Sequence, residues 1–260
     1  VHSPTTARAR VISFLWMAAC IYLLLCVALY FLQSRMLYLG GATRVEAVET
    51  NFTLARDGVV LRGWRLNPGQ VRALVYFGGN AESVQFQGEE LARWFPQTTI
   101  YLLPYRGYGA SDGSPSEILL KDDALAFFDT VKANHAHVSL LARSLGTGIA
   151  LHVAARRSVA RLALITPYDS LLNVARGHYP VLPIRWLMRD TFIATDDATA
   201  VQAPVLLLIA RLDNIIPPAR AEALATRFPQ PPQIQWLDTD HNTVDADIHF
   251  AASLKRFFTP

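Results

Sequence analysis

The sequence predicts an α/β fold. A mainly parallel sheet is flanked by helices, opens on an antiparallel N-terminal hairpin, carries a small cap and is preceded by one N-terminal transmembrane helix. Three observations predict this. Short apolar runs of strand length alternate with longer helical stretches, the rhythm of βα units. Near the start, Asp57-Gly58 separates two strand-like segments, a hairpin signal. Val11 to Leu32 is a run of 22 residues without a charge, and a helix needs about 20 to cross a bilayer core. With 260 residues, the chain can bury a substantial core in one large domain.

The elements follow in order. Residues 1–10 form a tail, 11–32 the anchor, 33–50 a connector and 51–260 the domain. A secretory signal has a shorter apolar core, about 7–15 residues, and a small-residue cleavage site. Here Tyr30-Phe31-Leu32-Gln33 follows instead, which favours an uncleaved anchor. Arg8 and Arg10 precede the run; Arg35 and Arg44 follow it. This near tie leans slightly towards an inside N-terminus and a domain on the non-cytoplasmic side. Asn51–Ala55 and Val59–Leu66 are the hairpin strands. Ala73–Phe77 is a strand stopped by Gly78-Gly79, Ser83–Phe95 a helix ended by Pro96, and Thr99–Leu103 a strand. Ser114, Pro115 and Glu117 fit N-cap, N1 and N3 of a helix running to about Ala133. His137–Ala142 is a strand, Leu145–Arg157 a helix and Arg161–Thr166 a strand. Residues 168–201, with Pro180, Pro183 and several aromatic side chains, break the rhythm and predict a small cap or lid. Strand Val205–Ala210, helix Pro218–Phe228, strand Ile234–Leu237 and helix Val244–Phe258 complete the chain.

Composition excludes several classes. The net charge is +3 and the basic residues are scattered, so no nucleic-acid partner is expected. Both cysteines, Cys20 and Cys26, lie in the apolar run, which leaves the domain without a disulfide or a cysteine-based metal site. No metal or organic cofactor is expected.

Functional groups in open parallel sheets gather at the carboxyl ends of strands. After Ala73–Phe77, the turn Gly78-Gly79-Asn80 can aim backbone N–H groups at a cleft. After Thr99–Leu103 comes a loop rich in glycine and tyrosine. Gly79, Tyr105 and Tyr108, with Tyr168 from the start of the cap, are candidates for lining a substrate pocket. Ser111 and Asp112 are expected to hold that loop against the turn that carries Ser144. After His137–Ala142 comes Ala142-Arg143-Ser144-Leu145-Gly146. This is one methyl from the G-x-S-x-G motif in which a sharp strand-to-helix turn presents a serine hydroxyl. A nucleophilic serine needs a base, and the base needs an orienting acid. Asp213 follows Val205–Ala210, and His241 follows Ile234–Leu237. Asp169 and Asp240 are rival acids, and His249 is a rival base. The acyl-transfer reading assigns oxyanion donors to the backbone N–H groups of Asn80 and Leu145.

At this point the chain resembles the α/β-hydrolase superfamily, in particular its membrane-anchored Bem46-like and ABHD-type group, related to serine aminopeptidase-like hydrolases. The segments FGGNAES, YRGYGASDGSPSE, ARSLGTGIA, RLDNIIP and DHN carry the resemblance. It implies a triad of Ser144, Asp213 and His241, oxyanion donors at Asn80 and Leu145, and an N-terminal anchor. It departs at Gly78, where the family has a histidine that braces the oxyanion loop, so a less braced loop is implied. It departs again at Ala142 and Ala210, where the family often has glycine. The expected reaction is hydrolysis of an ester or thioester of a small-molecule or acylated substrate. The alternatives are a peptidase, with Asp190, Asp196 and Asp197 as candidate amine binders, and a non-catalytic tethered scaffold.

Overall fold

In the central strands, alternate residues are apolar on both faces, so both faces must be covered. The computed structural model describes residues 4–259 and shows how this is done. Eight strands form one sheet in the order β1-β2-β4-β3-β5-β6-β7-β8. They are β1 (Phe52–Arg56), β2 (Val59–Leu66), β3 (Arg72–Phe77), β4 (Thr98–Leu102), β5 (His137–Arg143), β6 (Leu162–Ile165), β7 (Val205–Ala210) and β8 (Gln233–Leu237). The β1–β2 and β2–β4 pairings are antiparallel, and every other pairing is parallel. The β1–β2 turn holds Asp57 at φ 43° and Gly58 at φ 80°, the two left-handed residues a tight hairpin requires.

Val75, Phe77, Leu140, Ala142, Leu164 and Leu207 join one buried cluster, while Leu74, Tyr76, Leu141, Ile165 and Leu208 join the other. Residue parity therefore divides each strand between two cores. Helices α3 (Glu117–Lys132) and α4 (Leu145–Ala154) close the first face. Helices α2 (Gln85–Trp94) and α9 (Ile248–Phe258) close the second. Helix α8 (Pro218–Ala225) also contributes to the first. Truncating a fully buried side chain such as Leu164 (0 % exposed) to alanine costs about 2–5 kcal/mol.

Three expectations change. Helix α3 is capped by Ser116, whose Oγ accepts from Leu119 N at 3.4 Å, not by Ser114. Pro115 instead packs beside Gly107 (φ 78°) in the preceding loop, which delays the helix by two residues. The closing helix is split: a single 3-10 turn over Val244–Ala246 precedes α9, which Asp247 caps by accepting from His249 N at 2.7 Å. Ser111 and Asp112 brace their loop against β2 rather than the Ser144 turn. Ser111 Oγ accepts from Arg62 N at 3.0 Å, and Asp112 accepts from Val60 N at 3.1 Å and from Arg62.

The apolar run lies in helix α1 (Pro4–Leu37), which continues past Leu32. It is long and apolar enough to cross a membrane, and little of it is buried. Its last turns lean on residues 168–201, which form the short helices α5 (Leu171–His178), α6 (Ile184–Leu187) and α7 (Ala194–Ala198) over the carboxyl end of the sheet. Gln33 explains the extension. Its Nε2 donates to the Leu187 carbonyl at 2.9 Å, and its Oε1 accepts from Arg189 N at 2.8 Å.

Candidate active site

Ser144 follows β5 and precedes α4 with φ 49° and ψ −117°, a conformation that L-residues rarely adopt and that costs of order 1–3 kcal/mol. Its N–H is held by the Ile165 carbonyl at 2.9 Å. The turn works only because α4 begins almost on top of β3. A Cβ on Gly146 would stand 2.3 Å from the Phe77 carbonyl oxygen, and one on Gly148 would stand 2.4 Å from the Tyr168 hydroxyl. The close approach therefore falls at Gly146 and Gly148. Ala142, fully buried in β5 between Phe77 and Leu164, fits without disturbing it.

His241 Nε2 lies 3.0 Å from Ser144 Oγ, and His241 Nδ1 lies 2.6 Å from Asp213 Oδ2. Asp213 Oδ1 accepts from Ile215 N at 2.9 Å and Ile216 N at 2.7 Å, so the loop after β7 fixes its carboxylate. Both Asp213 and His241 are buried. A hydroxyl on one ring nitrogen and a carboxylate on the other is the geometry that makes serine a nucleophile.

The rival groups are engaged elsewhere. Asp169 accepts from Ser170 N, Asn173 Nδ2 and Arg220. Asp240 accepts from Asn242 N, Thr243 N and Thr243 Oγ1, and these bonds pull its pKa below the usual carboxylate value. His249 is exposed on α9. Of the suggested amine-binding carboxylates, Asp190 takes the Tyr38 hydroxyl and the Glu117 N–H. Asp197 pairs with His152 and Arg156, and Asp196 is exposed.

Opposite His241 is the turn after β3. Gly79 lies beside the serine: a Cβ there would sit 3.5 Å from Ser144 Cβ. Among the described residues, the backbone N–H groups of Asn80 and Leu145 have no protein acceptor. Leu145 is the first residue of α4, where no intrahelical partner exists. The turn is braced despite Gly78. Glu82 Oε2 accepts from Gly79 N at 2.5 Å, and Glu82 Oε1 accepts from the Tyr76 hydroxyl at 2.6 Å. The Asn80 side chain donates to the Leu37 carbonyl at 2.5 Å and accepts from Leu39 N at 3.1 Å and from the Tyr108 hydroxyl at 2.8 Å. The end of α1 is thereby tied to this turn.

The three tyrosines named as pocket candidates brace the turns around Ser144. Tyr105, Tyr108 and Tyr168 are all buried. Tyr105 donates to the Gly78 carbonyl at 2.7 Å, Tyr108 to Asn80, and Tyr168 to the Leu145 carbonyl at 3.1 Å. Burial first, and neighbouring carboxylates second, push Tyr76, Tyr105 and Tyr168 well above the ordinary tyrosine value, which keeps their hydroxyls as donors. Two supporting residues escaped the sequence reading. One is Glu82. The other is Arg143, whose guanidinium donates to the His241 and Asn242 carbonyls at 3.1 and 3.3 Å and anchors the histidine loop to β5.

No family model matches the chain. The chain is similar to the protein Rv2307c of Mycobacterium tuberculosis, 31% identical over 214 residues, which covers 76% of each chain. It is also similar to alpha/beta hydrolase domain-containing protein 17B of Xenopus tropicalis, 29% identical over 165 residues, covering 62% of this chain and 56% of that protein. Among solved structures, the enol-lactonase from Burkholderia xenovorans LB400 superposes with a TM-score of 0.63 at 17% identity, covering 80% of this chain and all of that one.

Proposed function

The chain belongs to the α/β-hydrolase superfamily, and we propose that it is a membrane-anchored serine hydrolase that cleaves an ester or thioester of an acyl substrate. The observation that carries this reading is His241 Nε2 at 3.0 Å from Ser144 Oγ, with Asp213 on the far ring nitrogen. The relative and the solved structure cited above bear hydrolase and lactonase names, which agrees with this class of reaction. The long apolar helix α1 supports the anchor.

In the proposed mechanism, Ser144 Oγ attacks the acyl carbonyl carbon and passes its proton to His241 Nε2. Asp213 holds the imidazole in the tautomer with its proton on Nδ1 and offsets the positive charge the ring gains. The carbonyl oxygen becomes an oxyanion, which receives the N–H groups of Asn80 and Leu145. The tetrahedral species collapses, and the leaving alkoxide or thiolate takes the proton from Nε2. This leaves the acyl group on Oγ. Water then gives a proton to His241 and attacks the acyl-enzyme, and the second collapse returns the proton to Ser144 and releases the acid. None of these steps requires a group from outside the chain other than water.

The test is labelling by a fluorophosphonate probe, which reacts with activated serines. Wild type should label, and Ser144→Ala should remain folded by circular dichroism and give no label. Equal labelling of the two proteins would remove Ser144 as the nucleophile.

A further inference from the structure

Between the last turns of α1 and the cap lies a cavity of about 300 Å3, lined by residues that include Leu29, Met36, Leu37, Ala175, Leu182 and Met188. We propose that this cavity binds an acyl chain that enters sideways from the membrane, a reading that rests on the anchored acyl hydrolase described above.

The lining is mostly apolar. Its one polar side chain with an amide, Gln33, already spends both donor positions on the Tyr30 and Leu187 carbonyls and its oxygen on Arg189 N. A ligand recognised by several hydrogen bonds would find only the Tyr179 hydroxyl there, whereas a hydrocarbon chain needs none. The α1 wall spans residues 29 to 37, about 12 Å along the helix at 1.5 Å per residue.

The cavity also lies at the right depth. The Tyr22 hydroxyl donates to the Val181 carbonyl at 2.8 Å, which sets the tip of the cap beside the middle of the apolar run. Tyr22 is ten residues, or about 15 Å, from Leu32. A helix spanning a bilayer over residues 11–32 therefore carries the cap tip into the leaflet. The tip is built for that position, with Val181 79% and Trp186 82% exposed. Arg189 lies over the Tyr30 ring, 5.3 Å from its centroid. Aromatic and arginine side chains of this kind mark the membrane interface. At its other end the cavity is lined by Leu37, whose carbonyl holds the Asn80 side chain of the loop after β3.

The test uses the full chain in phosphatidylcholine vesicles whose lipid carries a photoactivatable diazirine at mid-chain, with cross-linked peptides read by mass spectrometry. We expect cross-links on Val11–Leu25, which report the anchor, and on Leu182 and Met188, the cap cross-links that report the cavity; any on Trp186 report the immersed tip. Filling the cavity from the cap side with Ala175→Phe, or from the α1 side with Met36→Trp, should reduce the cap cross-links at least fivefold and spare those on Val11–Leu25. Cap cross-links that survive both substitutions would indicate surface contact alone and overturn the proposal. Anchor cross-links without any on the cap would also overturn it. Loss of both sets would remove the anchor as well. Hydrolysis has no part in the readout, so the catalytic reading stands or falls separately.

Discussion

Glu82 holds two groups with one carboxylate. Its Oε2 takes the Gly79 N–H and its Oε1 the Tyr76 hydroxyl, and both oxygens must be acceptors. Glu82→Gln replaces one acceptor with an NH2 donor, which must then face either the Tyr76 hydroxyl or the Gly79 N–H. The loop that carries Asn80 loses its fixed position, while the triad is untouched. Small misplacements of transition-state donors are costly, so kcat should fall between about 10- and 100-fold with KM within about twofold. Steady-state kinetics on a p-nitrophenyl ester, with circular dichroism to check the fold, would measure this; an unchanged kcat would remove Glu82 from the loop's support. The proposed triad of Ser144, Asp213 and His241 was legible because each lies in the short loop after a strand's carboxyl end, where chain order alone points to them. Glu82 and Arg143 were not, because their value lies in what they touch. Arg143 reaches carbonyls at His241 and Asn242 in a different loop. The departure at Gly78 implied a looser turn, but Glu82 and the Asn80 side chain supply the bracing from other directions.

Helix α4 is nearly all apolar or small, and nearly all of it is buried. Its first turn sits against the end of β3, where any side chain at 146 would meet backbone rather than a movable group. Gly146→Ala must therefore push α4 off the sheet or displace the Phe77 and Gly78 carbonyls. Overpacking of this kind costs about 1–3 kcal/mol. Gly177 in α5 is the control, because a Cβ there meets nothing within 4 Å; Gly177→Ala should be neutral or stabilising by up to about 1 kcal/mol. Thermal unfolding should thus lower Tm for Gly146→Ala but not for Gly177→Ala, and a neutral Gly146→Ala would contradict the close approach. The need for small residues at 146 and 148 could be read from the motif. The start of α3 could not. Ser114-Pro115-Ser116-Glu117 offers two serines for one cap, and the contact between Pro115 and Gly107 decides between them. The break at Asp247 was hidden similarly, because Val244–Phe258 is periodic enough to pass for one helix. Asp247 also accepts from Asp238 N, a bond to the loop after β8 that no helical pattern encodes.

At the scale of the molecule, carboxylates hold the cap to the body. Asp190 meets Tyr38 and α3, Asp169 meets Arg220 of α8, and Asp197 of α7 meets His152 and Arg156 of α4. The sequence marked 168–201 as an insert by its broken rhythm, but these long-range ties cannot be read from local pattern. Nor can the junction of α1 with Asn80, which joins residues more than forty positions apart. The Asp197 tie makes stability depend on pH. Burial opposes its ionisation, but hydrogen bonds from His152 and Arg156 outweigh this and hold its pKa below the ordinary 3.8. Folding therefore favours the carboxylate. The contribution is complete above the unfolded value and is lost as pH falls through the lower folded value. Asp197→Asn should cost about 1–2 kcal/mol at pH 7, towards the low end for a buried pair because Arg156 is 43% exposed and its charge is screened by solvent. The deficit relative to wild type should shrink below about pH 4, as the wild-type carboxyl takes up its proton. Urea unfolding of both proteins across that range measures it. A deficit that stays constant to the lowest pH at which both proteins fold would mean that the substitution acts through packing, and that the charge of Asp197 does not hold the cap.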